Sequence, residues 1–243
     1  VAVGQCTKLT HDMAKIAYKS LIGALKSFKD YDPKRAEKVE EGENLVDTYE
    51  DKLGTYMVKL SGVSLSMEDS HQVSVLLHTI GDFERISDHA VSILRSVQEM
   101  HDKKIHFSGE AQAELEVIMG AVDEILGITF RAFDEESSIL ASQVEPLEQV
   151  IDGLNAEMKS RHITRLQKGL CTIELGFIFN DLLTDFTRVA DHCSNIAVAV
   201  IQIGKDVFDT HSYLGDVKSS GGPDYMALYQ SYQKKYFLPA SEF

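Results

Sequence analysis

Proline is scarce in this sequence, with four in 243 residues, and no stretch alternates apolar and polar side chains over the length of a strand. Helices therefore run with few interruptions, and nothing argues for a sheet. Cysteine is scarcer still. Cys6, Cys171 and Cys193 stand far apart with no Cys-x-x-Cys pair, which excludes a disulfide frame and a zinc knuckle and fits reduced, buried thiols in a cytoplasmic setting. Positive charge is also short: 24 Lys and Arg against 38 Asp and Glu leave a formal charge of -14. That balance excludes a nucleic-acid backbone as partner and favours cations. No apolar run approaches the roughly 18 residues that a spanning helix needs, so the segment is not expected to insert into a bilayer. The glycines are scattered with no GxxxxGK[ST] loop, and no nucleophile–base pattern is present. The chain is not expected to be an enzyme.

What the sequence does contain is a phrase used twice. Gly81 to Ala90 reads GDFERISDHA and Thr184 to Cys193 reads TDFTRVADHC, at an offset of 103 residues. Asp82, Phe83, Arg85, Asp88 and His89 return as Asp185, Phe186, Arg188, Asp191 and His192. A repeat carried on charged positions points to two related halves. Apolar spacings of three and four residues then divide the chain into helices. The first covers Leu9 to Phe28 and is ended by the Asp32-Pro33 step. The second starts at Pro33 with a stripe through Gly42, Val46, Tyr49, Leu53, Tyr56 and Leu60, and the third starts at Ser66 and carries the first phrase. The second half repeats the plan from Ser108, with a break near Val144 to Pro146 and a last long helix whose seam includes Phe186, Val189 and Cys193. The predicted fold class is all-α: two tandem, pseudo-symmetric three-helix bundles over residues 1–104 and 105–206. A C-terminal extension over 207–243 holds a flexible joint at Ser219 to Pro223 and a short aromatic helix, Asp224 to Tyr236, expected to pack on a neighbouring bundle.

Glu84 and Asp88, four residues apart, share a helix face nearly opposite the apolar one. Like charges at that spacing repel by a few tenths of a kcal/mol, a liability unless a cation sits between them. On the second helix of each half, Glu40-x-x-x-Asn44-x-x-Asp47 is mirrored by Glu148-x-x-x-Asp152-x-x-Asn155 at an offset of 108. Carboxylates on two adjacent helices can bridge cations, with Mg²⁺, Ca²⁺ and iron all acceptable to oxygen. His89 and His192 point about 100° away from the Asp beside them, which leaves both a ligand role and a hydrogen-bonding or packing role open.

The two phrases, each on the third helix of a three-helix unit, resemble the twin ERIGDHA-like motifs of the PhoU family, regulators of bacterial phosphate uptake. The likeness extends over essentially the whole chain, and the tail is similar to PhoU-like domains fused behind sodium/phosphate cotransporters. A chain beginning at Val1 with no signal-peptide pattern suits such a cut-out domain. The resemblance implies a cytoplasmic regulatory module tethered to the inner face of the membrane through a transporter domain. Its implied partners are a phosphate transporter membrane domain or phosphate-signalling proteins, with a homo-oligomer also open. It implies metal ions as cofactors, iron or zinc ahead of Mg or Ca, held by Glu84, Asp88, Glu40 and Asp47 in the first half and by Asp191, Glu148 and Asp152 in the second. Thr187 stands where the second phrase should have its Glu, so Asp191 lacks a partner one turn away. Asp181 and Asp185 offer a replacement pair on another helical face, and the second site is expected to be shifted, weaker or absent. Two other readings compete. A carboxylate-bridged di-iron oxidase needs paired Glu-x-x-His motifs, of which only Glu68 with His71 is found; a metal-free helical scaffold would use its acids only for solubility.

Overall fold

The computed structural model describes residues 1–203 and 223–241, and every regular element among them is helical. In chain order these are α1 (Ala2–Ser27), α2 (Pro33–Ser61), α3 (Met67–Lys103), α4 (Gly109–Asp134), α5 (Ser138–Ala141), α6 (Val144–Gln167), α7 (Ile173–Ile203) and α8 (Pro223–Lys235). The joint expected over 219–222 lies outside the described residues. None of the described helices is long and apolar enough to cross a membrane.

Local chemistry sets the helix ends. Asp32 accepts from the Lys34 N–H at 3.0 Å with Pro33 at the first helical position, where a missing N–H costs nothing. Ser66 accepts from the Asp69 N–H at 3.1 Å, and Ser108 from the Ala111 N–H at 3.3 Å. Each side chain satisfies one of the donors that a helix start leaves open. At the other end of α6, Gly169 takes φ +68° while its N–H meets the Leu166 carbonyl and the Leu170 N–H meets that of Arg165, the bonding of a left-handed helix terminator. Lys104 closes α3 in the same way at φ 55°, without glycine's freedom.

Two sequence expectations shift. The first helix starts at Ala2, well before Leu9, and the break expected near Val144 to Pro146 lies earlier, over 135–143 with the short α5 inside it, because Val144 to Pro146 already belong to the first turn of α6. On α2 the buried residues are Ala36, Val39, Gly42, Val46, Leu53 and Met57. The expected stripe therefore drifts off the core at its later tyrosine, and Tyr56 is exposed.

Packing produces the two bundles. α1, α2 and α3 pack together, α4, α6 and α7 do the same, and α3 lies along α7 at the centre. The central pair is antiparallel: His71 Nε2 sits 3.3 Å from the Gln202 carbonyl at one end, and Lys103 Nζ reaches Glu174 at 2.5 Å at the other. Aromatic rings cross the divide in matching pairs. Phe83 of the first half meets Phe133 of the second with centroids 5.0 Å apart, and Phe186 of the second meets Phe28 of the first at 6.4 Å. Beyond the area they bury, such pairs contribute about 1 kcal/mol each.

α8 packs against α6, with Tyr232 and Leu238 buried. Lys235 Nζ reaches Glu124 of α4 at 2.7 Å, the Tyr236 hydroxyl donates to the Glu124 carboxylate, and Arg161 Nη1 donates to the Pro239 carbonyl at 2.6 Å. Within the second bundle Arg165 makes a two-pronged bond to Glu114, at 3.0 and 2.8 Å, with both side chains buried. Parallel N–H to carboxylate bonds are the geometry in which burial of such a pair is tolerated.

Two of the left-handed helix ends, Gly169 and Lys104, make a matched test. Gly169→Ala forces a Cβ into the left-handed region and should cost about 1 kcal/mol, whereas Lys104→Gly should stabilise by a similar amount. Thermal melts should show shifts of opposite sign, each about 2–4 °C; equal signs would contradict the assignment.

Candidate metal centres

The repeated phrase serves two directions at once. Asp82 and His89 are seven residues apart and share a face of α3, and that face meets α7. There the two copies bind each other reciprocally: His89 Nδ1 lies 2.8 Å from Asp185 Oδ1, and His192 Nδ1 lies 2.9 Å from Asp82 Oδ1. Ser92 donates to Asp185 Oδ2 at 2.8 Å, and Asn195 to Asp82 Oδ1 at 3.1 Å. The imidazoles face one another with centroids 5.8 Å apart. Each bond requires the proton on Nδ1, since the carboxylate can only accept. Two like halves joined by antiparallel helices must pair in this reciprocal manner, as a two-fold interface does.

Asp88 and Asp191 lie on a different face and turn toward the second helix of their own half. Glu43, Asp47 and Asp88 each bring a carboxylate oxygen within 4.8 Å of the others, and so do Glu148, Asp152 and Asp191. In both groups two acids come from successive turns of α2 or α6 and the third from α3 or α7. Arg85 sits 3.4 Å from Glu84 and 3.6 Å from Asp88, and Arg188 sits 3.3 Å from Asp191. These arginines are largely exposed and compensate little of the charge. The result is visible at Glu84: partial burial first, then the charge of Asp88 and a hydrogen bond with it, push its carboxyl up to about 7, with Arg85 pulling the other way. Glu43 is pushed up as well, by burial and by the charges of Asp47 and Asp88.

The residues named from the sequence fall into place unevenly. Asp88, Asp47, Asp191, Glu148 and Asp152 are brought together as described. Glu84 borders the first group, bonded to Asp88. Glu40 is exposed one turn before Glu43, and its charge reaches that residue. Asp181 and Asp185 do not form a site: Asp181 is exposed, while Asp185 is buried and committed to His89 and Ser92. Thr187 donates its hydroxyl to the Leu183 carbonyl at 2.9 Å, and Asp191 finds its carboxylate neighbours on α6 instead. The second group thus occupies the counterpart position, with Glu148 buried and bonded by Gln149 at 2.8 Å.

Glu43 was missed, and the missing signal is plain once the helices are aligned. Glu40-x-x-Glu43-x-x-x-Asp47 recurs as Glu145-x-x-Glu148-x-x-x-Asp152 at an offset of 105, not 108. Glu145 is buried and accepts from Ser194 at 2.5 Å. Tyr225, at the start of α8, has its hydroxyl pushed up to about 12 by burial and by the charges of Glu145 and Glu148, which places α8 beside the second group.

Both trios offer oxygen only, and the phrase histidines are engaged across the α3–α7 contact. That donor set fits iron, Mg²⁺ or Ca²⁺ better than zinc, which usually takes nitrogen or sulfur. Glu68 and His71, the lone Glu-x-x-His, stand at the start of α3, where His71 meets the Gln202 carbonyl, so the di-iron oxidase pattern is not assembled among the described residues. Cys193, as expected, is core, and burial pushes its thiol up to about 12.

A duplicated three-helix bundle, joined through the helices that carry its repeated motif and presenting an acidic trio in each half, defines a class of helical tandem proteins. The PhoU domain model matches residues 10–97 and again 116–200, and the chain belongs to the PhoU family. It is 25% identical over 206 residues to the phosphate-specific transport system accessory protein PhoU homolog 1 of Thermotoga maritima, covering 82% of this chain and 87% of that one. The crystal structure of PhoU from Pseudomonas aeruginosa superposes with a TM-score of 0.78 at 19% identity over 85% of this chain and 98% of that one. The phosphate transport system regulatory protein PhoU from Streptococcus pneumoniae gives 0.73 at 15% identity over 85% and 97%. These two share the fold.

Removing one partner of a reciprocal bridge leaves a buried group short of its bond. Asp185→Ala should destabilise by about 1–3 kcal/mol, and the double variant with His89→Ala should cost less than the sum of the two single changes. Denaturant titration of the four proteins of the cycle measures this, and strict additivity would show that the bridge contributes nothing.

Proposed function

We propose that the chain is a regulatory module of phosphate transport, acting in the cytoplasm through contacts with a phosphate transporter or its signalling proteins, and that each acidic trio holds metal. Family membership and the names of the relatives support the first half of that reading. The observation that carries the second is the recurrence of three converging carboxylates at equivalent places in both halves; beside the first, burial and then the charge of Asp88 push the carboxyl of Glu84 up to about 7. A cation would relieve the repulsion between these carboxylates and displace the proton. Glu43, Asp47, Asp88 and the bordering Glu84 would serve the first ion or ions; Glu148, Asp152 and Asp191 would serve the second. Iron ranks ahead of zinc on donor type. The bound charge would also change the sign of a surface that otherwise repels phosphate. The likeness of the tail to domains behind sodium/phosphate cotransporters supports a membrane-tethered setting.

Elemental analysis of the purified chain tests the metal reading. Asp47→Asn with Asp88→Asn, and separately Asp152→Asn with Asp191→Asn, should each lower bound metal by about half, and the four changes together should abolish it. A wild-type chain that takes up no metal after exposure to iron, zinc, Mg²⁺ and Ca²⁺ would overturn it. For the regulatory reading, cells lacking the gene should show altered uptake of radiolabelled phosphate, restored by the wild-type chain; unchanged uptake would refute it.

A further inference from the structure

The repeat allows each surface of one half to be compared with its counterpart. On the first two helices of the halves the offset is 105, as Phe28 and Phe133, Glu43 and Glu148, and Asp47 and Asp152 show through their matching contacts. In the second half the C-terminal segment lies on α6 and α4, from Tyr225 beside Glu145 and Glu148 to Pro239 at Arg161. Between those anchor points Val150 and Leu154 of α6 are 4% and 6% exposed. In the first half the counterpart of Val150 is Leu45, which is 46% exposed, and that of Arg161 is Tyr56, at 47%. Leu9 of α1 with Leu45, Tyr49, Leu53 and Tyr56 of α2 line an open groove of about 370 Å³ there. Among the described residues, the surface that one half covers with an aromatic segment has no such cover in the other.

Charge distinguishes the two surfaces. Glu124, which receives Lys235 and Tyr236, has Lys19 as its counterpart, and Glu157 has Lys52, which lines the groove. Glu114, bonded to Arg165, has the apolar Leu9. Lys52 is the one charged side chain that lines the groove, and Lys19 stands on α1 where the covered surface has Glu124. A C-terminal segment from a second copy would set Lys234 and Lys235 against Lys19, an unfavourable pairing.

We infer that the α1–α2 groove docks an acidic amphipathic segment of a partner protein, its tyrosine or leucine side chains entering between Leu9, Leu45 and Tyr56 and its carboxylates meeting Lys19 and Lys52. This is the mode in which an amphipathic element lays its apolar face into a groove and its rim charges set the choice of partner. At 100° per residue Leu45, Tyr49, Lys52 and Tyr56 lie opposite Glu43 and Asp47, so docking does not require metal.

The test uses the full chain and two labelled peptides: residues 223–241 as they stand, and the same peptide with Lys234→Glu and Lys235→Glu. Fluorescence anisotropy in chelator-containing buffer should show the acidic peptide binding and the unaltered one binding about tenfold more weakly. Leu45→Asp and Tyr56→Asp, both at exposed positions, should each weaken the acidic peptide about tenfold or more while leaving the melting temperature unchanged. Lys19→Glu should reverse the preference between peptides. Binding indifferent to Leu45→Asp, or no binding of the acidic peptide, would overturn the inference. Tighter binding of the unaltered peptide would overturn it in favour of a second copy's C-terminal segment. Because metal is absent throughout, failure here would leave the carboxylate reading untouched, and the reverse also holds.

Discussion

The antiparallel contact of α3 with α7 sets the rest of the molecule. It is held by reciprocal Asp–His bonds, Asp82 with His192 and Asp185 with His89, each reinforced by a second donor from the partner helix. A bond of this kind has a fixed length and a fixed proton position, so a slip of either helix by one residue would break both pairs and leave carboxylates partly buried without donors. The crossed Phe83–Phe133 and Phe186–Phe28 contacts obey the same register. With that face committed to the opposite half, Asp88 and Asp191 are left facing their own α2 and α6, where the remaining acids wait.

The arginines of the repeated phrase offset little of the charge accumulated there. Arg85 and Arg188 are exposed and screened, whereas the acids stand within 4.8 Å of one another. Water and protons can moderate such repulsion, and Glu84 shows the proton's part in it. Concentrating acids twice, at equivalent places, runs against the stability of the fold, and that cost is what supports the proposed cation.

Duplication has not kept the halves alike. Glu114 and Arg165 form a buried ion pair where the first half has Leu9 and Leu60, two solutions to filling the same space that are often close in stability. Thr187 replaces Glu84, and the second group keeps its place because its acids come from two neighbouring helices, α6 and α7. The largest divergence is outside the cores: α8 and the residues after it cover the α4–α6 side, while among the described residues the corresponding α1–α2 groove, lined by Lys52, stays open. One half is thereby closed by its own chain, and the other is the one inferred to dock a partner.

Helix positions, the duplication and the family were legible in the sequence because each is a local or periodic property: capping side chains at Ser66 and Ser108, apolar spacing, and a motif printed twice. Glu43 was not found because the second-helix acids were aligned three residues out of register, and only α3 at its true distance from α2 separates Glu43 from Glu40. Likewise Asp185 reads as a metal ligand one turn from Asp181 until α3 is packed against it, since spacing along one helix cannot say which neighbour a face will meet. The sequence by itself determined the helices, their amphipathic faces and the kinship of the halves, all of which follow from the 3.6-residue period of the backbone. Tertiary structure alone decided which carboxylates converge, which are spent on holding the halves together, and which groove is left open, because those depend on distances between helices that no single helix encodes.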